Sequence, residues 1–176
     1  MIEHCRQFFG VRRQGRAAGA SLVGALMSAG LAFGQGTATP VGVWLVASGD
    51  AAVAITECGG ELCGKIVWLK EPLTSEGKPK RDVHNTDFAQ RERPICGLPL
   101  LYGFKPEGGR RWSGGYIYNP RNGKTYHATI TAGADGTLKL RGYVGLPIFG
   151  ESQTWTPVRT NLPDCSAVHS PTPESR

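Results

Sequence analysis

The sequence lacks most of the local motifs by which enzymes are recognised. It contains no Gly-x-Ser-x-Gly nucleophile elbow, no phosphate-binding loop and no His-Glu-x-x-His zinc motif. Beyond residue 34 it also lacks any sustained apolar pattern with the spacing of an amphipathic helix. These absences argue against an α/β fold, and they predict a protein that is not an enzyme and that needs no cofactor.

The first 34 residues have the three parts of a signal peptide. A basic region with four arginines precedes residues 17–34, which carry no charge and end in the small residues Ala32 and Gly34. A retained membrane anchor is the alternative, but this stretch is rich in glycine and shorter than the ~20 apolar residues of a spanning helix. We therefore predict removal of residues 1–34, a periplasmic or secreted protein, and no stable membrane insertion afterwards.

The predicted mature part carries little net charge. The whole chain carries +6, and residues 1–34 account for +3 of it through four arginines and Glu3. The remaining +3 is ordinary for a soluble domain and predicts no nucleic-acid partner.

Four cysteines remain after the predicted cleavage: Cys58, Cys63, Cys96 and Cys165. An even number in an exported chain predicts two disulfides, because the periplasm is oxidising. Cys58 and Cys63 flank a four-residue turn, which favours their pairing across a hairpin, and Cys96 with Cys165 follows by elimination. A zinc or redox site is the alternative, but neither a second ligand pair at matching spacing nor a helix start accompanies Cys58 and Cys63, so we predict no metal.

Past residue 40, the sequence alternates between short β-rich segments and turn sequences. Tight turns join most of the segments, which favours an all-β, antiparallel, up-and-down barrel of about eight strands. We place this domain in residues 41–159, exclude the signal helix from it, and expect residues 160–176 to be a flexible tail apart from Cys165. The predicted strands are residues 41–47, 52–58, 63–70, 100–105, 112–119, 124–131, 137–144 and 152–158.

One connection, residues 71–99, is much longer than the others, and long connections are usually functional or mobile. It contains Asp82, His84 and Asn85, which could ligate a cation or pair an acid with a base. Their spacing matches neither an EF-hand nor a zinc site, so side-chain turns that fix the loop are the favoured interpretation. A short helical turn is expected within residues 86–91.

Aromatic residues are the best candidates for a ligand site. They could line an apolar pocket inside the barrel, or they could fill the interior of a small barrel completely. Strand alternation places Tyr126 with Ala128 and Ile130 on one face, and His127 and Arg141 on the solvent face. The candidate pocket residues are Trp68, Tyr116, Tyr118, Tyr126, Phe149 and Trp155.

Several longer phrases are more specific than any strand pattern. They are Gly42-Val43-Trp44, the hairpin sequence of residues 57–69, Asp82-x-x-Asn85, and residues 114–120 and 142–150, the last followed by Gln153-x-Trp155. Together they resemble the bacterial exported family catalogued as domain of unknown function 2147, over about residues 41–159.

This resemblance implies an envelope protein without an assigned activity and a lipocalin-like (calycin-like) barrel. In lipocalins the Trp of a Gly-x-Trp phrase stacks on a C-terminal Arg, a role that would fall to Arg159 here. The sequence departs from the family pattern at this point, since Pro157 stands where an Arg usually follows Trp155-Thr156.

Two function hypotheses follow. The first is a non-enzymatic binding module for a small apolar or amphipathic ligand. The alternative is a structural or interaction protein of the cell envelope that binds a partner through residues 71–99. A third, an enzyme using Asp82 and His84, requires that the two side chains converge on a cleft.

Overall fold

Within residues 39–165, every strand pairs antiparallel with the next one along the chain, and the last of these strands pairs with the first. The computed structural model describes residues 39–165, and these form a closed eight-stranded barrel, which confirms the predicted all-β, up-and-down architecture. The strands are β1 Gly42–Leu45, β2 Ala51–Cys58, β3 Glu61–Leu69, β4 Pro99–Gly108, β5 Arg111–Asn119, β6 Lys124–Ala132, β7 Leu138–Tyr143 and β8 Glu151–Pro157.

The helical elements between the strands are two 3₁₀ turns, Phe88–Gln90 and Pro147–Phe149. The first lies inside the helical turn that the sequence predicts. Among residues 39–165, no helix is long and apolar enough to cross a membrane. The predicted signal segment, residues 1–34, and residues 166–176 of the predicted tail lie outside the described residues.

Strand β4 is longer than the sequence predicts. The Pro-Glu-Gly-Gly phrase of residues 106–109 is typical of a turn, yet Pro106 pairs with Trp112 and the chain reverses after Gly108. The register shifts between Pro106 and Gly108, and such an irregularity accommodates a proline that has no N–H to donate. Strand β4 therefore continues to Gly108, past the predicted end at residue 105, and the hairpin is longer than expected.

The interior of the barrel is closely packed. Phe104 and Trp155 are among the largest fully buried side chains. A Cβ at Gly115 would lie 2.3 Å from the Phe104 ring, so the ring fits only because residue 115 has no side chain. The other large side chains that are almost completely buried in the barrel are Val53, Ile55, Leu101, Ile130 and Leu138.

The two ends of the barrel differ. One end, here the hairpin end, carries the short connections after β2, β4 and β6. The other, the loop end, carries residues 46–50, 120–123 and 144–150 and the connection of residues 70–98, here the long loop.

Trp44 of the Gly-x-Trp phrase is buried, and its indole N–H donates to the Pro40 carbonyl at 2.8 Å. The expected stacking on Arg159 is wrong, because the cation–π pairs within residues 39–165 are Arg91–Phe88 and Arg93–Tyr118.

Two disulfides join the cysteine pairs that the sequence favours. Cys58 and Cys63 bridge the β2–β3 hairpin with 6.0 Å between their Cα atoms. Cys96 and Cys165 tie the long loop to the C-terminal segment with 5.8 Å between Cα atoms. The second bridge closes a sequence separation of 69 residues, so it restricts the unfolded chain far more than the first does.

Candidate functional site

The long loop is held against the outer face of β5 by a buried polar cluster. Asp82 is completely buried, and its carboxylate accepts hydrogen bonds from the Tyr118 hydroxyl at 2.7 Å and the Asn85 amide at 2.8 Å. Arg93 adds a third hydrogen bond from Nε at 2.9 Å, and its Nη2 lies 2.8 Å from the same carboxylate in an ion pair. We call Asp82, Asn85, Arg93 and Tyr118 the loop clamp.

The loop clamp satisfies its own charges. The Asp82 carboxylate has a guanidinium and two neutral donors around it, which compensates the cost of removing it from water. Burial raises the pKa of Tyr118, and the hydrogen bond to Asp82 and the charge of its carboxylate raise it further. Asn85 also accepts from the backbone N–H of Asp87 at 2.8 Å, a side-chain turn of the predicted kind. The cluster therefore fixes the loop.

The third sequence hypothesis needs Asp82 and His84 to converge, and they do not. Asp82 lies inside the loop clamp, whereas His84 is exposed. The His84 backbone packs against the turn before β6, since a Cβ at Gly123 would lie 1.8 Å from the His84 carbonyl oxygen. Asp82 and His84 therefore do not share a solvent-accessible cleft.

The described residues contain one group with metal-ligand side chains close together, formed by Cys96, Asp164 and Cys165. Both cysteines are joined in a disulfide, so their sulfurs are not thiolates and are not available as metal ligands.

The six predicted pocket residues do not meet in one pocket. Trp155 is buried in the core, Tyr118 lies under the long loop, and Phe149 is 77 % exposed. Tyr126 shares its face with Ile117, because both lie within 4 Å of the position of a Cβ at Gly142. The remaining two, Trp68 and Tyr116, are half-buried. The prediction of a shared interior pocket is therefore corrected.

A β-bulge explains the misplaced tyrosines. Gly114 has a φ of +72°, and the pairing of β5 with β6 shifts between Trp112 and Gly115. The extra residue reverses the alternation, so Gly115 and Ile117 face the interior while Tyr116 and Tyr118 face outward. Tyr118 is buried only because the long loop covers it.

Tyr116 belongs instead to a row of rings across the outer face of four neighbouring strands. Tyr102, Tyr116, His127 and Tyr143 follow one another with ring centroids 5.3, 4.8 and 5.7 Å apart. His127 is exposed, as the alternation predicts. Such cross-strand ring pairs contribute about 0.5–1.5 kcal/mol each to the stability of a sheet.

The loop end also carries an exposed apolar segment, which we call the apolar loop (residues 144–149). Its four largest apolar side chains are from 64 to 77 % exposed: Val144, Leu146, Ile148 and Phe149. Arg141 holds its backbone, with Nε donating to the Pro147 carbonyl at 2.8 Å and Nη2 to the Ile148 carbonyl at 3.1 Å. The third donor, Nη1, reaches the Ser152 hydroxyl at 3.0 Å on the next strand.

The sequence phrase Val-Gly-Leu-Pro-Ile-Phe-Gly of residues 144–150 contains this segment, but the alternation pattern gives no orientation for it. Phe149 lies in the 3₁₀ turn Pro147–Phe149, outside both flanking strands, so strand periodicity does not apply to it. The signal that could have found the apolar loop is the run of apolar residues between two glycines, since such a run in a turn has no core to enter.

Residues 42–157 match the model of the family described as "Uncharacterized protein conserved in bacteria (DUF2147)". The chain belongs to this family. A solved structure titled "Protein HP1028 from the human pathogen Helicobacter pylori belongs to the lipocalin family" is 21 % identical, with a TM-score of 0.58. The match covers 74 % of this chain and 97 % of that one, so the fold is lipocalin-like. No curated protein matches the chain.

Proposed function

We propose that this family member is a non-enzymatic binding module that takes a small apolar or amphipathic molecule at the loop end of the barrel. One observation carries the proposal: the four apolar side chains of the apolar loop are exposed on a backbone that Arg141 holds in place. Contiguous exposed apolar patches on the surface of a soluble protein mark ligand-binding or interaction sites.

The packing of the barrel supports the loop end over the centre as the position of the ligand. Phe104 and Trp155 occupy the interior without solvent contact. Towards the loop end, Ile117 and Tyr126 are only half-buried, and they face inward beside Gly142. A ligand that contacts these two residues and the apolar loop would cover apolar surface while keeping a polar group at the rim.

The fixed backbone of the apolar loop favours affinity. A mobile loop loses conformational freedom when it closes on a ligand, and that loss weakens binding by about 0.5–1.5 kcal/mol for each side chain that is immobilised. Arg141 already fixes the carbonyls of Pro147 and Ile148. The backbone of the apolar loop therefore loses little further freedom when a ligand binds, and the remaining cost falls on its side chains.

Two phenylalanines of equal exposure allow a matched test. Phe149 of the apolar loop is 77 % exposed and Phe88 of the long loop is 76 % exposed. We expect Phe149→Ser to weaken binding of an environment-sensitive apolar dye at least about fivefold, since burial of a Phe contributes ~1.5–3 kcal/mol. Phe88→Ser should leave the dye affinity unchanged. Native mass spectrometry of the protein purified from the bacterial envelope should detect a co-purified small molecule in the wild type.

Equal dye affinity in the wild type and in Phe149→Ser would contradict the proposal. Loss of dye binding in Phe88→Ser alone would move the site to the long loop.

A second candidate function is an interaction protein of the envelope that binds its partner through the long loop. It is favoured by two exposed apolar side chains, Phe88 at 76 % and Val83 at 56 %, on a loop that the loop clamp fixes. The Arg91 guanidinium lies 3.9 Å from the Phe88 ring centroid and holds the ring in position. Under this alternative, Phe88→Ser abolishes co-purification of a partner in cross-linked envelope fractions, and Phe149→Ser does not.

We propose further that the protein is exported to the periplasm or secreted. The two disulfides support this location, because such bridges persist in oxidising compartments. Expression of the full chain in a bacterium, followed by fractionation and intact-mass measurement, should give a periplasmic or secreted species beginning at Gln35. An uncleaved species that stays in the cytoplasm would contradict the assignment.

A further inference from the structure

The C-terminal segment, residues 158–165, lies across the outside of the barrel and is fixed at both of its ends. We call it the strap. At its start, the backbone N–H of Val158 donates to the Val43 carbonyl on β1 at 2.9 Å. At its end, Cys165 is bonded to Cys96 of the long loop. The strap therefore stands over strands β1 to β3 as a covalently closed bridge.

A groove of about 440 Å³ lies between the strap and the barrel. Val43 of β1 and Val67 of β3 line it from the barrel side, and Val158 and Leu162 line it from the strap. The other half of the lining is polar and comes from the strap: Arg159, Thr160, Asn161 and Asp164. The volume falls within the ~300–1,000 Å³ range of small-molecule sites. This groove is separate from the apolar loop, which lies beyond β7 on another part of the barrel surface.

The two charged groups of the groove, Arg159 and Asp164, differ in the contacts that they already make. Arg159 is exposed on the groove wall and forms no ion pair within residues 39–165. Asp164 has an interaction of its own and lies at the disulfide, with its carboxylate within 4.8 Å of the sulfurs of Cys96 and Cys165. The groove therefore carries one cation and one anion, and Arg159 is the group that an anionic ligand would meet.

We propose that the groove under the strap binds a fatty-acyl carboxylate, with the acyl chain between the strap and the valines of β1 and β3 and the carboxylate on Arg159. A guanidinium pairs with a carboxylate through two parallel hydrogen bonds, which is stronger and more directional than contact with an ammonium. The Cys96–Cys165 disulfide keeps the strap in place, so the site exists only while that bridge is intact.

The proposal is tested by titrating decanoate into the purified full chain and measuring its binding by calorimetry. We expect Arg159→Gln to weaken binding about two- to fivefold, as loss of an ion pair at an exposed side chain does. Lys139→Gln, which removes an exposed cation on the outer face of β7, should leave the affinity unchanged. The uncharged analogue decanol should bind about two- to fivefold more weakly than decanoate.

The strap itself is tested with Cys96→Ser/Cys165→Ser, with circular dichroism to verify that the barrel remains folded. Weakened decanoate binding by the folded double variant supports the proposal, and unchanged binding overturns it. Arg159→Gln serves the same purpose if the double variant does not fold. Equal binding of decanoate by Arg159→Gln, no binding by the wild type, or tighter binding of an apolar tripeptide with a free carboxylate would each overturn the assignment.

The outcome is separable from that of the proposed function. Phe149→Ser should reduce dye binding and leave decanoate binding intact, whereas Arg159→Gln should do the reverse. Decanoate binding that depends on Phe149 would place the carboxylate at the loop end and overturn the groove site alone.

Discussion

The long loop and the apolar loop leave the same end of the barrel but are stabilised in opposite ways. The long loop places a charged carboxylate, Asp82, out of solvent and surrounds it with donors. The apolar loop leaves its hydrophobic side chains in water and anchors its carbonyls to Arg141. The polar contacts of Asp82 contribute to the stability of the fold. The contacts of Arg141 keep the apolar side chains of residues 144–149 exposed. At the loop end, polar residues therefore stabilise the structure and apolar residues are available for binding.

The largest effect should come from the loop clamp. Asp82→Ala leaves the Arg93 guanidinium and the Tyr118 hydroxyl without their shared partner, and we expect a loss of about 3 kcal/mol in the free energy of unfolding. Urea denaturation followed by circular dichroism measures it. Glu76→Gln, which removes an exposed partner of Lys78 from the same loop, is the control and should change stability by less than about 0.5 kcal/mol. Equal effects of the two variants would show that the clamp does not fix the loop.

The second effect concerns Tyr118 and alkaline pH. Burial, the hydrogen bond to Asp82 and its charge raise the pKa of Tyr118 above the ordinary value of 10.0. The neutral phenol is thus favoured in the folded state, so its contribution is complete below pH 10 and is lost as the pH rises through the raised pKa. Tyr118→Phe should cost about 1–2 kcal/mol at neutral pH and should reduce the loss of stability above pH 10.

Tyr116→Phe is the matched control for that measurement, because Tyr116 lies two residues away on the outer face and its ring contacts are with Tyr102 and His127. Thermal unfolding between pH 8 and pH 11.5 compares the two variants. The same alkaline slope in both would contradict the coupling of Tyr118 to Asp82.

A smaller effect on stability, but a clear one on binding, is expected from Arg141→Gln. The variant loses the donors to Pro147 and Ile148, which should lower the free energy of unfolding by about 1 kcal/mol. Hydrogen exchange should become faster at residues 144–150 and stay unchanged in the long loop, and the dye affinity should fall with it. Faster exchange with undiminished dye affinity would mean that a fixed backbone is not required.

The sequence predicts the barrel and the Cys58–Cys63 bridge because these rest on local signals, and the Cys96–Cys165 bridge then follows by elimination. Alternation, turn residues and the short Cys58–Cys63 spacing are each contained in a few residues. The orientation of Tyr116 and Tyr118 is not predictable in this way, since one glycine with a positive φ at residue 114 reverses the alternation along the rest of β5. A glycine in a strand can equally well leave the alternation intact, and the sequence does not distinguish the two cases.

The candidate sites depend on contacts that are distant in the chain. Asp82 and Tyr118 are 36 residues apart, so the sequence predicts side-chain turns within the long loop but not the strand to which it is attached. The family resemblance places Arg159 on Trp44, yet Arg159 lines the groove under the strap, which the Val158–Val43 hydrogen bond and the Cys96–Cys165 bridge hold at its two ends. Phe149 is exposed because a 3₁₀ turn removes it from any strand face.

The central claim, that the ligand lies at the loop end on the apolar loop, is tested most directly by mapping the bound dye with two-dimensional NMR of the isotope-labelled protein. The account predicts that the largest chemical-shift changes fall on residues 144–149 and on Ile117 and Tyr126. Changes confined to the long loop, or spread evenly over the barrel surface, would contradict it.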